Sequence, residues 1–220
     1  PLLGFLAETG AVAVALRVPV FTPDSPQHLS IVHLESADNG AFQEAAWLLD
    51  AVPETPLPAD FSSFSGALEP ALPWSGWLFH RADSNQSVAD WPQITVQGRS
   101  ESSLTVRLSS GRSTPELHLF VPPAAGLTQI TVADSGYVID YSDWPDNAFR
   151  RFSCYGPECD GLELELSFSE LAPFDVFVVD QTPGLPTGGT ELQAARGQLA
   201  VPWQDGDVTM TFNRQSVSLP

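Results

Sequence analysis

Apolar and polar residues alternate with a period of two along most of this chain, the pattern of strands with one buried and one wet face. His28 to Leu34 alternates in this way, as does Ile94-Thr-Val96. In Leu104-Thr-Val-Arg-Leu108, the pattern puts Leu104, Val106 and Leu108 on one face and Thr105 and Arg107 on the other. Glu116 to Val121 follows a turn marked by Gly111 and Pro115, and Leu127 to Val132 and Tyr137 to Tyr141 continue the series. From Leu162 to Phe168, Leu162, Leu164, Leu166 and Phe168 are expected to face a core while Glu163 and Glu165 face water. Phe174 to Val179 is almost continuously apolar, as a strand buried on both faces should be. Val208 to Phe212 closes the series after Asp205-Gly206-Asp207, a tight-turn signal. Ala41 to Leu49 is the one stretch with helical character, and it is short.

About ten strands separated by turns predict an all-β fold, a β-sandwich or jelly roll. Two parts of the chain stand apart. Val52 to Pro73 is rich in Pro, Ser and Phe and predicts a long loop or a sub-boundary. Residues 1–25 form an N-terminal extension containing the apolar stretch Leu2 to Phe21, which Glu8 and Arg17 interrupt. That stretch fits either a first strand, with Val12, Val14, Leu16, Val18 and Val20 on one face, or the exit of a membrane helix. The sandwich domain is then residues 26–220. The chain opens at Pro1 without an initiator Met or a signal sequence, as expected of a processed chain or excised domain.

Composition narrows the function classes. The chain has 27 acidic residues against 9 basic ones, all of them Arg, for a net charge of −18. Nucleic acid is excluded as a partner, since phosphate contacts need clustered Lys and Arg. The same charge disfavours anionic lipid headgroups. With 43% hydrophobic residues the chain is too apolar for disorder, and 20 Pro disfavour long helices.

The two cysteines sit close together in Cys154-Tyr-Gly-Pro-Glu-Cys159. A metal site on this pair needs further ligands nearby, and His28, His33, His80 and His118 all lie far upstream. Gly156-Pro157 is a turn former that brings the pair within disulfide range, which implies an oxidising compartment.

Catalytic motifs are absent. There is no Gly-x-Ser-x-Gly, and Phe64-Ser-Gly66 lacks the preceding glycine of a nucleophile elbow. His33-Leu-Glu35 looks ligand-like but is most simply the solvent-facing side of a strand, and Gly188-Gly189 precedes no expected helix. Glu163 and Glu165 fit an exposed edge better than a glycosidase pair. Asp205 with Asp207, and Asp38-Asn39-Gly40, lack calcium-loop spacing. Of the six tryptophans, Trp74, Trp77, Trp91 and Trp144 have loop-type neighbours. Trp74, Trp77 and Trp144 are the candidate surface-binding residues, set against a packing role at the open ends of the sandwich.

Three stretches carry a resemblance. They are Gln27-His-Leu-Ser-Ile-Val-His-Leu-Glu-Ser-Ala-Asp-Asn-Gly40 running on to Ala45-Ala-Trp47-Leu, Phe174-Asp-Val-Phe-Val-Val-Asp-Gln-Thr-Pro-Gly-Leu-Pro186, and Val201-Pro-Trp-Gln-Asp-Gly-Asp-Val-Thr209. In this order they resemble the C-terminal, non-catalytic β-domain of bacterial membrane-bound zinc aminopeptidase-like peptidases, relatives of endoplasmic reticulum metallopeptidase and the vacuolar membrane protease. The motifs are short but span most of Pro26 to Phe212.

The resemblance implies an accessory domain on the non-cytoplasmic face, periplasmic or extracellular, of a membrane protein. Zinc and the catalytic residues would belong to a catalytic domain outside this stretch, so no residue here inherits a catalytic, metal or cofactor role. Partners would be that catalytic domain and a peptide substrate, with the membrane reached through helices not in this chain. The Cys154/Cys159 pair and the Ala41–Ala46 stretch do not match the family's pattern. A secreted carbohydrate-binding β-sandwich remains the alternative, resting on the loop tryptophans.

Overall fold

The alternation becomes an all-β sandwich in a computed structural model that describes residues 21–52, 55–64, 66–87 and 90–218. The strands begin as β1 (Gln27–Asp38), β2 (Ala41–Ala51), β3 (Glu69–Pro70), β4 (Leu78–Asp83), β5 (Gln93–Arg99), β6 (Ser103–Ser109) and β7 (Glu116–Val121). They continue as β8 (Leu127–Val132), β9 (Val138–Asp140), β10 (Arg150–Tyr155), β11 (Glu163–Phe168), β12 (Phe174–Pro183), β13 (Ala200–Val201) and β14 (Val208–Val217). One helix, α1 (Gly189–Arg196), lies between β12 and β13. Among the described residues, a nine-stranded sheet has the order β10-β7-β12-β14-β1-β2-β4-β3, with β13 also paired to β1, and a five-stranded sheet has the order β5-β6-β11-β8-β9.

The larger sheet is antiparallel except at β1, which runs parallel to both β13 and β14. Its inner face is covered by two different things. Over β7, β10 and β12 lies the five-stranded sheet, and Leu104, Val106, Leu108, Leu164 and Leu166 meet Leu117, Leu119, Val176 and Val178 in the main core. Over β1 and β2 lies a lid of short elements instead. Phe61 and Phe64, from the 3-10 turn Ala59–Phe64, and Leu192 and Ala195 of α1 pack on Leu29, Ile31, Trp47 and Leu49. A buried aliphatic or aromatic side chain contributes about 1.5–3 kcal/mol over its exposed state, so both coverings are substantial.

The expected alternation holds where burial decides it. Leu164, Leu166 and Phe168 are buried while Glu163 and Glu165 are exposed. β12 is apolar on both faces because both are covered, with Val176 and Val178 in the main core and Phe177 and Val179 in a cluster on the outer face.

Three expectations are corrected. The strands number fourteen among the described residues, not about ten: β3 and β13 are two residues long, β4 and β10 lack a clean apolar–polar alternation, and β2 has a helix-like composition. Ala41 to Leu49 is strand, not helix. Asn39 and Gly40 take positive φ of 49° and 80°, the left-handed geometry of a tight hairpin, and fold β2 back onto β1 from Asp38–Ala41 to Leu29–Ala51. Gly188-Gly189 does precede a helix. The run Glu-Leu-Gln-Ala-Ala within α1 is rich in strong helix formers, and Gly197 ends it at φ 61°. The expectations for Val12 to Val20 lie outside the described residues.

Cys154 and Cys159 form the expected disulfide, with Cα atoms 5.6 Å apart. It ties the end of β10 to the Pro157–Cys159 turn, and Cys159 is buried in the main core. Replacing both residues with Ala is expected to lower the unfolding free energy by roughly 2 kcal/mol, from the entropy of so short a loop. Urea titrations with and without reductant check this. Reductant should move the wild-type midpoint and leave the Cys154→Ala/Cys159→Ala midpoint in place.

Candidate functional site

Two polar constellations emerge from this architecture, one sealed and one open. The sealed one lies on the inner face of the large sheet, where the two coverings meet. Leu117, Asp180, Thr211, Glu35 and Ala45 stand in one row across β7, β12, β14, β1 and β2, so the face passes from apolar through polar to apolar again. Asp180, Thr211, Glu35 and His33 are fully buried. The solvent-facing role expected for His33-Leu-Glu35 is therefore corrected: β1 is an interior strand whose inner face is covered along its length.

Each group in this seam has a partner. Asp180 accepts from Arg112, from Ser110 Oγ at 3.1 Å and from Thr211 Oγ1 at 2.6 Å. His33 Nε2 lies 3.1 Å from Ser84 Oγ, and its Nδ1 lies 3.6 Å from Glu35, which also accepts from Ser87 Oγ. Burial, and secondarily the charge of Arg112, pushes the His33 pKa down to about 4. The imidazole is thus held neutral at pH 7.

The open constellation is a groove of about 890 Å³ on the outer face. Its floor is the outward side of β7, β10, β12 and β14, including Glu116, His118, Phe120, Arg151, Tyr155 and Gln181. Its walls are the loop carrying Trp74 and Trp77 and the loop carrying Trp144 and Phe149. All three candidate tryptophans therefore meet at one site, though they play different parts. Trp74 stacks on Phe120 at 4.6 Å with planes 16° apart and meets Phe212 edge-on, so it is chiefly a packing residue. Trp77, Trp144 and Tyr155 stand 68%, 41% and 62% exposed. The fourth loop tryptophan, Trp91, instead meets Phe42 at 6.1 Å.

The Trp144 wall is braced before any ligand arrives. Trp144 donates its indole N–H to the Phe149 carbonyl at 3.1 Å and meets Tyr141 edge-on. The buried Arg150 donates to the carbonyls of Pro145 and Ala148, both at 2.7 Å. Tyr141 donates its hydroxyl to the Arg151 carbonyl at 2.7 Å, and burial raises its pKa to about 12. A wall fixed this way loses little freedom on binding.

The floor is equally ordered. His118 Nε2 lies 3.0 Å from a Glu116 carboxylate oxygen, and its Nδ1 lies 2.9 Å from Ser153 Oγ. Arg151 Nε donates to the same Ser153 oxygen at 2.7 Å, and Gln181 Nε2 donates to Glu116 at 3.3 Å. Ser, His and Glu are the ingredients of a nucleophile relay. Here, however, the guanidinium occupies the serine oxygen, and Ser153 is not among the groove-lining residues. These hydrogen bonds hold the polar floor in a fixed arrangement. With aromatic faces on the walls and oriented polar groups between them, the groove suits a ligand with apolar faces and polar edges.

Sequence reasoning missed the floor. Its signal was the polar set Glu116 and His118 on the outward side of β7, but the joining of that strand to β10 and β12 is not local. Among the described residues, no group of three or more His, Cys, Asp or Glu is placed to hold a metal ion.

The sealed seam makes a pH prediction. A histidine with pKa about 4 folded and 6.5 unfolded takes up its proton first in the unfolded state. Its contribution is complete above pH 6.5 and is lost as pH falls toward 4, a change of roughly 3 kcal/mol. Denaturation at stepped pH should show this slope, flattened in His33→Gln. Asp180→Ala, which strands Arg112, should cost roughly 3–5 kcal/mol at pH 7. No protein-family model matches this chain, and no curated protein does either.

Proposed function

We propose that this chain is the non-catalytic accessory domain of a membrane-anchored zinc exopeptidase, and that its groove holds an extended peptide segment presented to or by the catalytic domain. One observation carries the reading. The three stretches that bear the resemblance are far apart in sequence, yet they fall on β1 and β2, on β12, and on the loop from β13 into β14. The strands β12, β14, β1 and β2 are consecutive neighbours in the large sheet. The resemblance thus concerns one contiguous block rather than scattered fragments.

Two further features support it. The Cys154–Cys159 disulfide fits a non-cytoplasmic face. The groove pairs exposed aromatic surface with an ordered polar floor, as a peptide with alternating side chains and amides requires. On this reading the zinc and its ligands would sit in the catalytic domain of the same protein.

The decisive measurement is the coding sequence upstream of Pro1, followed by assay of the full-length protein. Hydrophobic spans and a His/Asp/Glu ligand cluster are expected there, with exopeptidase activity lost on chelation. Trp144→Ala should raise KM for long peptides roughly two- to tenfold, the scale of one aromatic contact, and leave kcat on a dipeptide unchanged. An upstream sequence with neither feature overturns the proposal.

The exposure of Trp77, Trp144 and Tyr155 around one groove also favours a second reading, a carbohydrate-binding module that stacks sugar rings on these faces. Saturable change of tryptophan fluorescence on titration with oligosaccharides, abolished by Trp144→Ala, selects that reading over the first.

A further inference from the structure

Four large apolar side chains stand exposed together at the end of the large sheet where the chain enters it: Val52 at 41%, Leu199 at 49%, Val201 at 36% and Trp203 at 39%. Their grouping follows from strand register. Leu29 pairs with Ala51 and Gln27 with Ala200, and Leu29, Ala51 and Ala200 all belong to the inner cluster. Side chains alternate along a strand, so Val201 points to the outer face, and Val52 and Leu199, just beyond the ends of β2 and β13, are exposed next to it. Trp203 is held beside them. Its backbone N–H donates to Ser30 Oγ at 2.9 Å, and its indole stacks on His28 at 4.4 Å with planes 13° apart. Among the described residues no short element covers them, although α1 and the Ala59–Phe64 turn cover the opposite face.

The sequence that leads into this end of the sheet is itself apolar. Residues 2–20 contain Glu8, Thr9 and Arg17 and are otherwise apolar, Gly or Pro. Phe21 is joined to Gln27 by a segment that, at about 3.6 Å per residue, reaches at most roughly 20 Å. The Thr22–Ser25 bridge shortens it further. A strongly apolar stretch is therefore tethered close to an exposed apolar patch that contains a tryptophan, the residue type that collects at the membrane interface. The charge of −18 selects the kind of surface, because anionic headgroups would repel this domain while uncharged ones would not.

We propose that the patch of Val52, Leu199, Val201 and Trp203 rests on the headgroup region of a zwitterionic phospholipid bilayer and so sets how the domain stands on the membrane. This rests on the membrane-anchored part of the function proposed above and does not need the zinc peptidase.

The test uses the whole 220-residue chain with phosphatidylcholine vesicles containing a lipid with a nitroxide on its headgroup, which quenches tryptophan close to it. Quenching is expected, with Trp203→Phe removing most of it and Trp144→Phe keeping it. Leu199→Ser/Val201→Ser should weaken vesicle binding roughly tenfold, the effect of losing two half-exposed apolar side chains from the contact. Its melting transition should match the wild type's, which separates a lost contact from a lost fold. Adding phosphatidylglycerol should weaken binding. The proposal is overturned if the chain ignores the vesicles, or if it binds them and Trp203→Phe is quenched like the wild type. Vesicle contact through Trp203, in a protein whose upstream sequence lacks zinc ligands, would sink the peptidase reading and leave this one standing.

Discussion

The fold depends on how the smaller sheet ends over the larger one. β5 is an edge strand, and its buried backbone groups need partners that no further strand supplies. Gln215 of β14 provides them: its side-chain amide accepts from the Ile94 N–H at 2.8 Å and donates to the Ile94 carbonyl at 3.1 Å. Asn213, two residues back and on the same face, donates to the Pro92 carbonyl at 3.1 Å. One face of β14 thus stands in for a missing neighbour strand. The polar row that continues through Thr211, Asp180 and Glu35 is the consequence, since a face committed to satisfying backbone at one end cannot be apolar there. Buried charge is tolerated because Arg112 meets Asp180. An uncompensated carboxylate in that row would cost several kcal/mol.

This division explains why the open groove lies on the other side. The inner face carries two apolar clusters and the polar seam between them. The outer face is covered only in part, by the Trp74 loop and the Trp144 loop, and what they leave open is the groove. Trp74 serves both roles at once. Its rings complete the outer aromatic cluster with Phe120, Phe177 and Phe212, and its loop forms a groove wall. The groove is therefore held by the same packing that finishes the sheet.

What the sequence made legible follows from what is local. Strands long enough to alternate, such as Leu162 to Phe168, announce both their existence and their buried side, and a disulfide across a Gly-Pro turn needs only short-range geometry. β2 was hidden because Ala41 to Leu49 is alanine-rich, and its strand state comes from pairing on both sides with β1 and β4. His33 and Glu35 looked wet because an alternating strand says which residues share a face, not whether a second layer covers it. For the candidate site, loop composition singled out Trp74, Trp77 and Trp144. The floor under them depends on β7 lying between β10 and β12, an order set by pairings up to 65 residues apart in hydrogen-bonded side chains such as Gln181 and Glu116. No local pattern encodes that.

The groove and the apolar patch are linked by a single loop. Between β13 and β14, Trp203 belongs to the patch while Asp205 lines the groove. That loop is anchored at Asp207, which accepts the Ile31 N–H at 2.9 Å and is clasped by Arg196 of α1 at 2.6 and 2.9 Å and by Gln193 at 3.0 Å. Burial alone would raise the Asp207 pKa, but these donors hold it below the usual carboxylate value, so the clasp stays charged at neutral pH. Arg196 also donates to the Leu29 carbonyl at 3.2 Å, which ties helix, loop and the start of β1 into one unit. A loop pinned at its inner end and stacked on His28 at its outer end does not swing independently. The orientation of the patch therefore fixes the orientation of the groove mouth, and a surface that held the patch would determine the direction from which the groove is approached.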